Sequence, residues 1–98
     1  MYRGTTPTIG FQLPFECSNI RLLNIAFAQD NKVIFEKTMN DCDLTGRIIM
    51  VQLREDETLS LNHRKELEIQ LRVAIGNNKL ASNIIKTNIG RILKEGVL

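Results

Sequence analysis

Tryptophan is missing from this sequence, and the aromatic complement stops at Tyr2 and four phenylalanines. Stacking platforms for bases or sugar rings are therefore scarcely provided for. Histidine occurs once, as His63, beside Arg64 and Lys65. A general base needs an oriented partner and a nearby nucleophile, and no serine or cysteine motif supplies one. His63 therefore reads as a solvated turn residue, and no enzyme is expected. Cysteine occurs twice, at Cys17 and Cys42, with no CxxC spacing and no clustered histidine. A disulfide framework and a zinc site both lack residues. Two reduced, buried thiols are the default, and a single bridge is the alternative.

An excess of charge is also lacking. Thirteen basic against 11 acidic residues leave a net charge of +2. Nucleic-acid binders usually carry a clustered basic face, so no nucleic-acid partner is expected. Arg21, Arg72 and Lys86 gather on one outer sheet face only if the strand register allows it. No apolar run approaches the roughly 20 residues of a membrane span. The opening MYRGTTPTIGF has no continuous apolar stretch of the signal-peptide kind, so the chain is expected to start in the cytoplasm. The glycines are scattered singly, which excludes phosphate-cradling loops. Glu55, Asp56 and Glu57 lack the alternating oxygen spacing of a calcium loop. They read as a solvated acidic face or as the start of a short helical turn. No metal and no cofactor is expected.

What the chain does have is alternation. In Glu66–Ile75, ELEIQLRVAI, the residues Leu67, Ile69, Leu71, Val73 and Ile75 alternate with Glu66, Glu68, Gln70 and Arg72. Period two over that length predicts a strand with one buried face, central to the core. Composition agrees: 43% hydrophobic and 24% charged residues are ordinary for a globular chain, and 98 residues make one domain.

The other elements follow in order. Thr8–Leu13 alternates between Pro7 and Pro14, which suit the ends or an edge. Ile20–Gln29 sets Leu23, Ile25 and Phe27 on one face. Helix competes there through leucine and alanine, but a polar turn, Asp30-Asn31-Lys32, and the β-branched Val33–Thr38 favour a hairpin. Val33 and Phe35 are expected to share a face. Cys42 and Leu44 make a short paired segment. Ile48–Leu53 sets Ile49, Val51 and Leu53 one way, with Met50 partly buried opposite. Arg54–Leu61 reads as one helical turn or loop that tucks Leu59 and Leu61 against the core. Gly76-Asn77-Asn78-Lys79 is a turn, and Ala81–Ile89 is the last long strand. Together these give an all-β, antiparallel β-sandwich of about six or seven strands. The segment Arg91–Leu98 either extends the last strand or leaves as a C-terminal arm.

The phrases RGTTPT (Arg3–Thr8), FAQ (Phe27–Gln29) and ASNIIKT (Ala81–Thr87), with the layout around them, resemble short proteins of phage and prophage tail modules of Gram-positive bacteria. More distantly the chain is similar to the N-terminal domain of baseplate upper proteins. The resemblance implies an immunoglobulin-like sandwich and a structural role in a tail or baseplate, without catalysis. It implies docking onto copies of itself or other tail proteins, as a homo-oligomer assembled in the host cytoplasm and carried in the virion tail. The stalk and receptor-binding portion of the larger proteins have no counterpart here, so host recognition is not implied. Ile92, Leu93, Val97 and Leu98, four apolar residues in the terminal segment, are the candidate docking residues, and folding of that segment onto its own domain is the alternative. A carbohydrate-binding sandwich is the alternative, and it would require exposed aromatic rings.

Overall fold

In the computed structural model, which describes residues 1–98, the chain forms eight strands and one short α-helix, besides two single 3-10 turns at Cys17–Asn19 and Met39–Asp41. In chain order they are β1 (Thr8–Gln12), β2 (Leu22–Gln29), β3 (Lys32–Thr38), β4 (Cys42–Thr45), β5 (Ile48–Gln52), α1 (Glu55–Leu59), β6 (Leu67–Ile75), β7 (Asn78–Ala81) and β8 (Ile85–Thr87). One sheet has three strands in the order β1-β5-β4. The other runs β3-β2-β6, and β7 and β8 share the far side of β6. All of these pairings are antiparallel. The two sheets close on one buried cluster of 15 residues, a β-sandwich as expected. Phe11, Ile49 and Val51 come from the smaller sheet. Leu23, Ile25, Phe27, Leu67, Ile69, Leu71 and Val73 come from the larger one.

The alternation in β6 holds from Leu67 to Val73, but at the end of the strand Ala74 is buried and Ile75, expected in the core row, is only half-buried. Its odd-numbered residues from Leu67 to Val73 are buried, and the strand is paired on both sides. α1 is the expected helical turn, with Leu61 buried behind it. The acids Glu55, Asp56 and Glu57 occupy its first turn, where the helix dipole favours negative charge.

Several expectations need correction. The strand count is eight because Ala81–Ile89 is not one strand. β7 starts early, directly after the two-residue turn Gly76-Asn77, and ends at Ala81. Gly76 takes φ 56°, the sign that a hairpin turn with glycine first requires. The ladder then breaks at Ser82, whose Oγ accepts the Leu71 amide at 3.0 Å and donates to the Asn83 carbonyl at 2.9 Å. A side chain thus stands in for a backbone acceptor, and pairing resumes only at Ile85.

The β2–β3 turn is also tighter than expected. It has two residues, Asp30 and Asn31, at φ 55° and 62°, and Lys32 already belongs to β3. Positive φ at both positions is the geometry that asparagine and aspartate tolerate and that matches strand twist. A bulge follows. Phe27 pairs with Phe35 but Ala28 pairs with Val33, so Ile34 is the inserted residue. Val33 and Phe35 consequently face opposite ways rather than sharing a face. Met50 is exposed, not partly buried, and its sulfur lies over Gly10, its partner in register.

Candidate functional site

The terminal segment divides. Ile92 is half-buried, and its side chain lies over Gly4 together with Leu59. Gly4 sits at φ 69°, and a Cβ there would stand 3.1 Å from Ile92 and 3.3 Å from Leu59. The position therefore favours glycine through both backbone and space. Beyond Ile92 the apolar side chains point away from the domain: Leu93 is 92% exposed and Val97 65%, and Leu98 is exposed too. Polar groups nevertheless tie the same segment down. Glu95 pairs with Arg3, and the Leu98 amide donates to Glu55 Oε2 at 2.8 Å. Of the four candidate docking residues, one is an anchor and three face solvent.

Arg3 is the hub of this corner. Its Nε donates to the Leu61 carbonyl and its Nη2 to the Leu59 carbonyl, both at 2.7 Å. These are carbonyls at the end of α1 and just beyond, where intrahelical partners run out. Thr5 and the fully buried Thr58 exchange bonds. The Thr5 amide donates to Thr58 Oγ1 at 3.0 Å, and that hydroxyl donates to the Thr5 carbonyl at 2.8 Å. The phrase RGTTPT and the stretch Asp56–Leu61 therefore form one clasp between the N-terminal segment and α1.

FAQ has a similar job. Gln29 is buried, and its amide binds the carbonyls of Asn62 and Lys65 while accepting the Asn62 amide at 2.9 Å. This pins the turn that carries His63, which is itself exposed. The least expected pair is Lys37 of β3 with Glu57 of α1. Nζ and Oε1 stand 2.7 Å apart, with side chains only 5% and 8% exposed. Glu57 Oε1 also accepts the Arg54 amide at 2.8 Å, which caps the helix start. Arg54 in turn bonds Asp56 on the surface at 3.0 Å, and that bond holds the Asp56 carboxyl below its ordinary value. Every buried side-chain nitrogen and oxygen has a partner, so these polar residues are spent on cross-links within the fold.

Both cysteines are free thiols. Burial pushes the Cys17 thiol up, and the Glu16 carboxylate adds to it. Burial also raises Cys42, helped by Asp41 and Asp43 and opposed by Lys37. Thiolate is the reactive form, so neither should react quickly near neutral pH. With Ellman's reagent, Cys42, only half-buried, should label slowly in the native protein, and Cys17 only on denaturation. Native Cys17 reacting as fast as a small-molecule thiol would contradict this packing.

Aromatic rings are mostly inside. Phe11 is buried, and Phe27 stacks on Phe35 with centroids 4.5 Å apart. Tyr2 is exposed but lies against Gly90, the two being bridged through their backbones. This places no row of rings where a sugar would stack. No helix is long and apolar enough to cross a membrane.

The sheet edges differ. β1 pairs only with β5, and its outward residues Thr8, Gly10 and Gln12 leave a polar edge. The edge formed by β7 and β8 is apolar. Leu80 and Ile85 pair in register with the inward-facing Val73 and Ile69, yet they are 46% and 45% exposed. A five-stranded sheet stacked on a three-stranded one leaves part of its inner face uncovered. Beside β7 the surface dips into a depression of about 320 Å³ that includes Leu22, Asn24, Arg72, Ala74, Lys79 and Leu80.

No family model, curated protein or solved structure matches this chain.

The sequence reading missed the Lys37–Glu57 pair and the Arg3 hub. A lysine alternating with inward-facing Phe35 was the available signal for the first. Three polar residues around a positive-φ glycine gave none for the second.

Proposed function

We propose that this protein is a non-enzymatic structural adaptor of a phage or prophage tail or baseplate, acting by docking onto copies of itself or onto other tail proteins. It is made in the host cytoplasm during assembly and ends in the virion tail. The observation that carries the docking reading is the outward display of Leu93 and Val97 on a segment that Ile92, Arg3 and Glu55 hold in place. Large apolar side chains held outward lose water contact favourably only when a partner covers them. The tail part of the reading is supported by the layout of Arg3–Thr8, Phe27–Gln29 and Ala81–Thr87. The clasps made by Arg3, Thr5, Gln29 and Ser82 give those phrases a structural purpose.

Two measurements test it. In sedimentation velocity the wild type should run as an oligomer, and Leu93→Ser with Val97→Ser should shift it to monomer while the circular dichroism spectrum stays the same. That variant spares Ile92, so loss of association would not reflect loss of the anchor. A wild type that is monomeric at all concentrations sinks self-docking. Mass spectrometry of purified tails should find the chain in stoichiometric amount, and its absence from intact tails would remove the tail assignment.

A further inference from the structure

The free edge of β7 and the depression beside it form a second surface, distinct from the terminal segment. Leu22 of β2, Ala74 of β6 and Lys79 of β7 lie in one row across the outer face, and Asn24, Arg72 and Ala81 lie in the next. Leu22 and Leu80 are both exposed and border the depression. β7 pairs with β6 on one side only, so its other side offers unpaired backbone groups. The charged residues that line the depression have one sign. Arg72 and Lys79 line the depression, which has no acidic lining residue. Arg21 sits at the same end, with its Nε on the Gly76 carbonyl at 2.7 Å. None of the three makes an ion pair.

We propose that this surface binds an extended, acidic segment of a different protein. The segment adds as a strand to β7, places carboxylates by Lys79 and Arg72 on the outer face, and sets its alternate apolar side chains against Leu80 on the inner face. Main-chain pairing supplies affinity in such an arrangement and alternate side chains supply specificity. A second copy of this chain is the poorer occupant. Pairing β7 with itself brings Lys79 towards its own kind with no acid in the strand, and like charges across a ladder repel. The break at Ser82 confines pairing by any occupant to Asn78–Ala81, so charge is what separates the two. The proposal rests on the docking reading and names the chemistry of one partner, but it uses different residues from the sedimentation test, so either can fail alone.

The test is fluorescence anisotropy on the full chain. The probe is a labelled peptide of alternating valine and glutamate, about eight residues long to match a strand. The valine–lysine counterpart and an oligothymidylate are the comparison ligands. The glutamate peptide should bind at least about ten-fold more tightly than the lysine peptide, because like charges at an interface exclude the wrong partner. Arg72→Glu with Lys79→Glu should reverse that preference, a gain that a misfolded protein would not show. Leu80→Asp should weaken the glutamate peptide while thermal melting stays close to wild type. Equal binding of the two peptides, no binding of either, or a preference that survives the double charge reversal overturns the proposal. Oligothymidylate binding as tight as the glutamate peptide would overturn it in favour of a phosphate-binding surface.

Discussion

Lys37→Met should lower the free energy of unfolding by about 3–5 kcal/mol, the cost of leaving one member of a buried ion pair alone. The magnitude follows from the surroundings of Glu57. Its carboxylate is 8% exposed, and its closest ionic partner is Lys37 Nζ at 2.7 Å. Arg54 stands further off at 3.7 Å and is itself well exposed, so it compensates weakly. The Arg54 amide remains as one hydrogen-bond donor. Glu57→Gln should be costly for the converse reason, since the Lys37 ammonium would then be buried against a neutral amide. Removing both charges is a different experiment. Lys37→Met with Glu57→Leu also removes the desolvation penalty of both ions, so the double variant should be clearly more stable than Lys37→Met alone. It should still fall somewhat short of wild type, because the Arg54 amide loses its acceptor, worth about 1 kcal/mol. Urea melts of wild type, Lys37→Met, Glu57→Leu and the double variant close the cycle and give the coupling energy directly. A Lys37→Met loss below about 1 kcal/mol would mean that water reaches the pair and that it contributes as little as a surface bridge.

This pair also marks where sequence reading stopped. The strands were legible because most bury one face, so apolar residues recur with period two, as in β6. The turns at Asp30-Asn31 and Gly76-Asn77 were legible because few residues accept positive φ. Lys37 was not, because a charge on a strand reads as solvated unless its counter-ion is known, and Glu57 arrives from an element 20 positions on. The bulge at Ile34 was invisible for a related reason: an inserted apolar residue looks like any other, yet it turns Val33 outward. Ser82 ended a strand through a hydroxyl bonding to Leu71, in a stretch whose composition reads as continuous. In the terminal segment composition could name Ile92, Leu93, Val97 and Leu98 as a group. It could not separate the anchor from the displayed residues, since that depends on the space above Gly4.

Leu71→Ala should cost about 2–5 kcal/mol, the range for truncating a buried leucine whose cavity closes only in part. Leu71 is 3% exposed and faces Ile25 across the β2–β6 ladder. β6 is held by β2 on one side and by β7 and β8 on the other, so the backbone around the cavity has little room to settle. Leu80→Ala is the instructive contrast. Leu80 belongs to the same sheet and pairs in register with Val73 of β6, but it lies at the edge, where the smaller sheet does not cover it. Its truncation should change stability by no more than about 0.5 kcal/mol, as surface substitutions usually do. Two leucines close together in one sheet would then differ several-fold in their contribution to folding. Leu71 would serve the core, and Leu80 would be left for a partner. Urea melts of the two single variants decide it. A Leu71→Ala loss below about 1 kcal/mol would place β6 at the margin of the core. A Leu80→Ala loss as large as that of Leu71→Ala would mean that the β7 edge is already buried in solution.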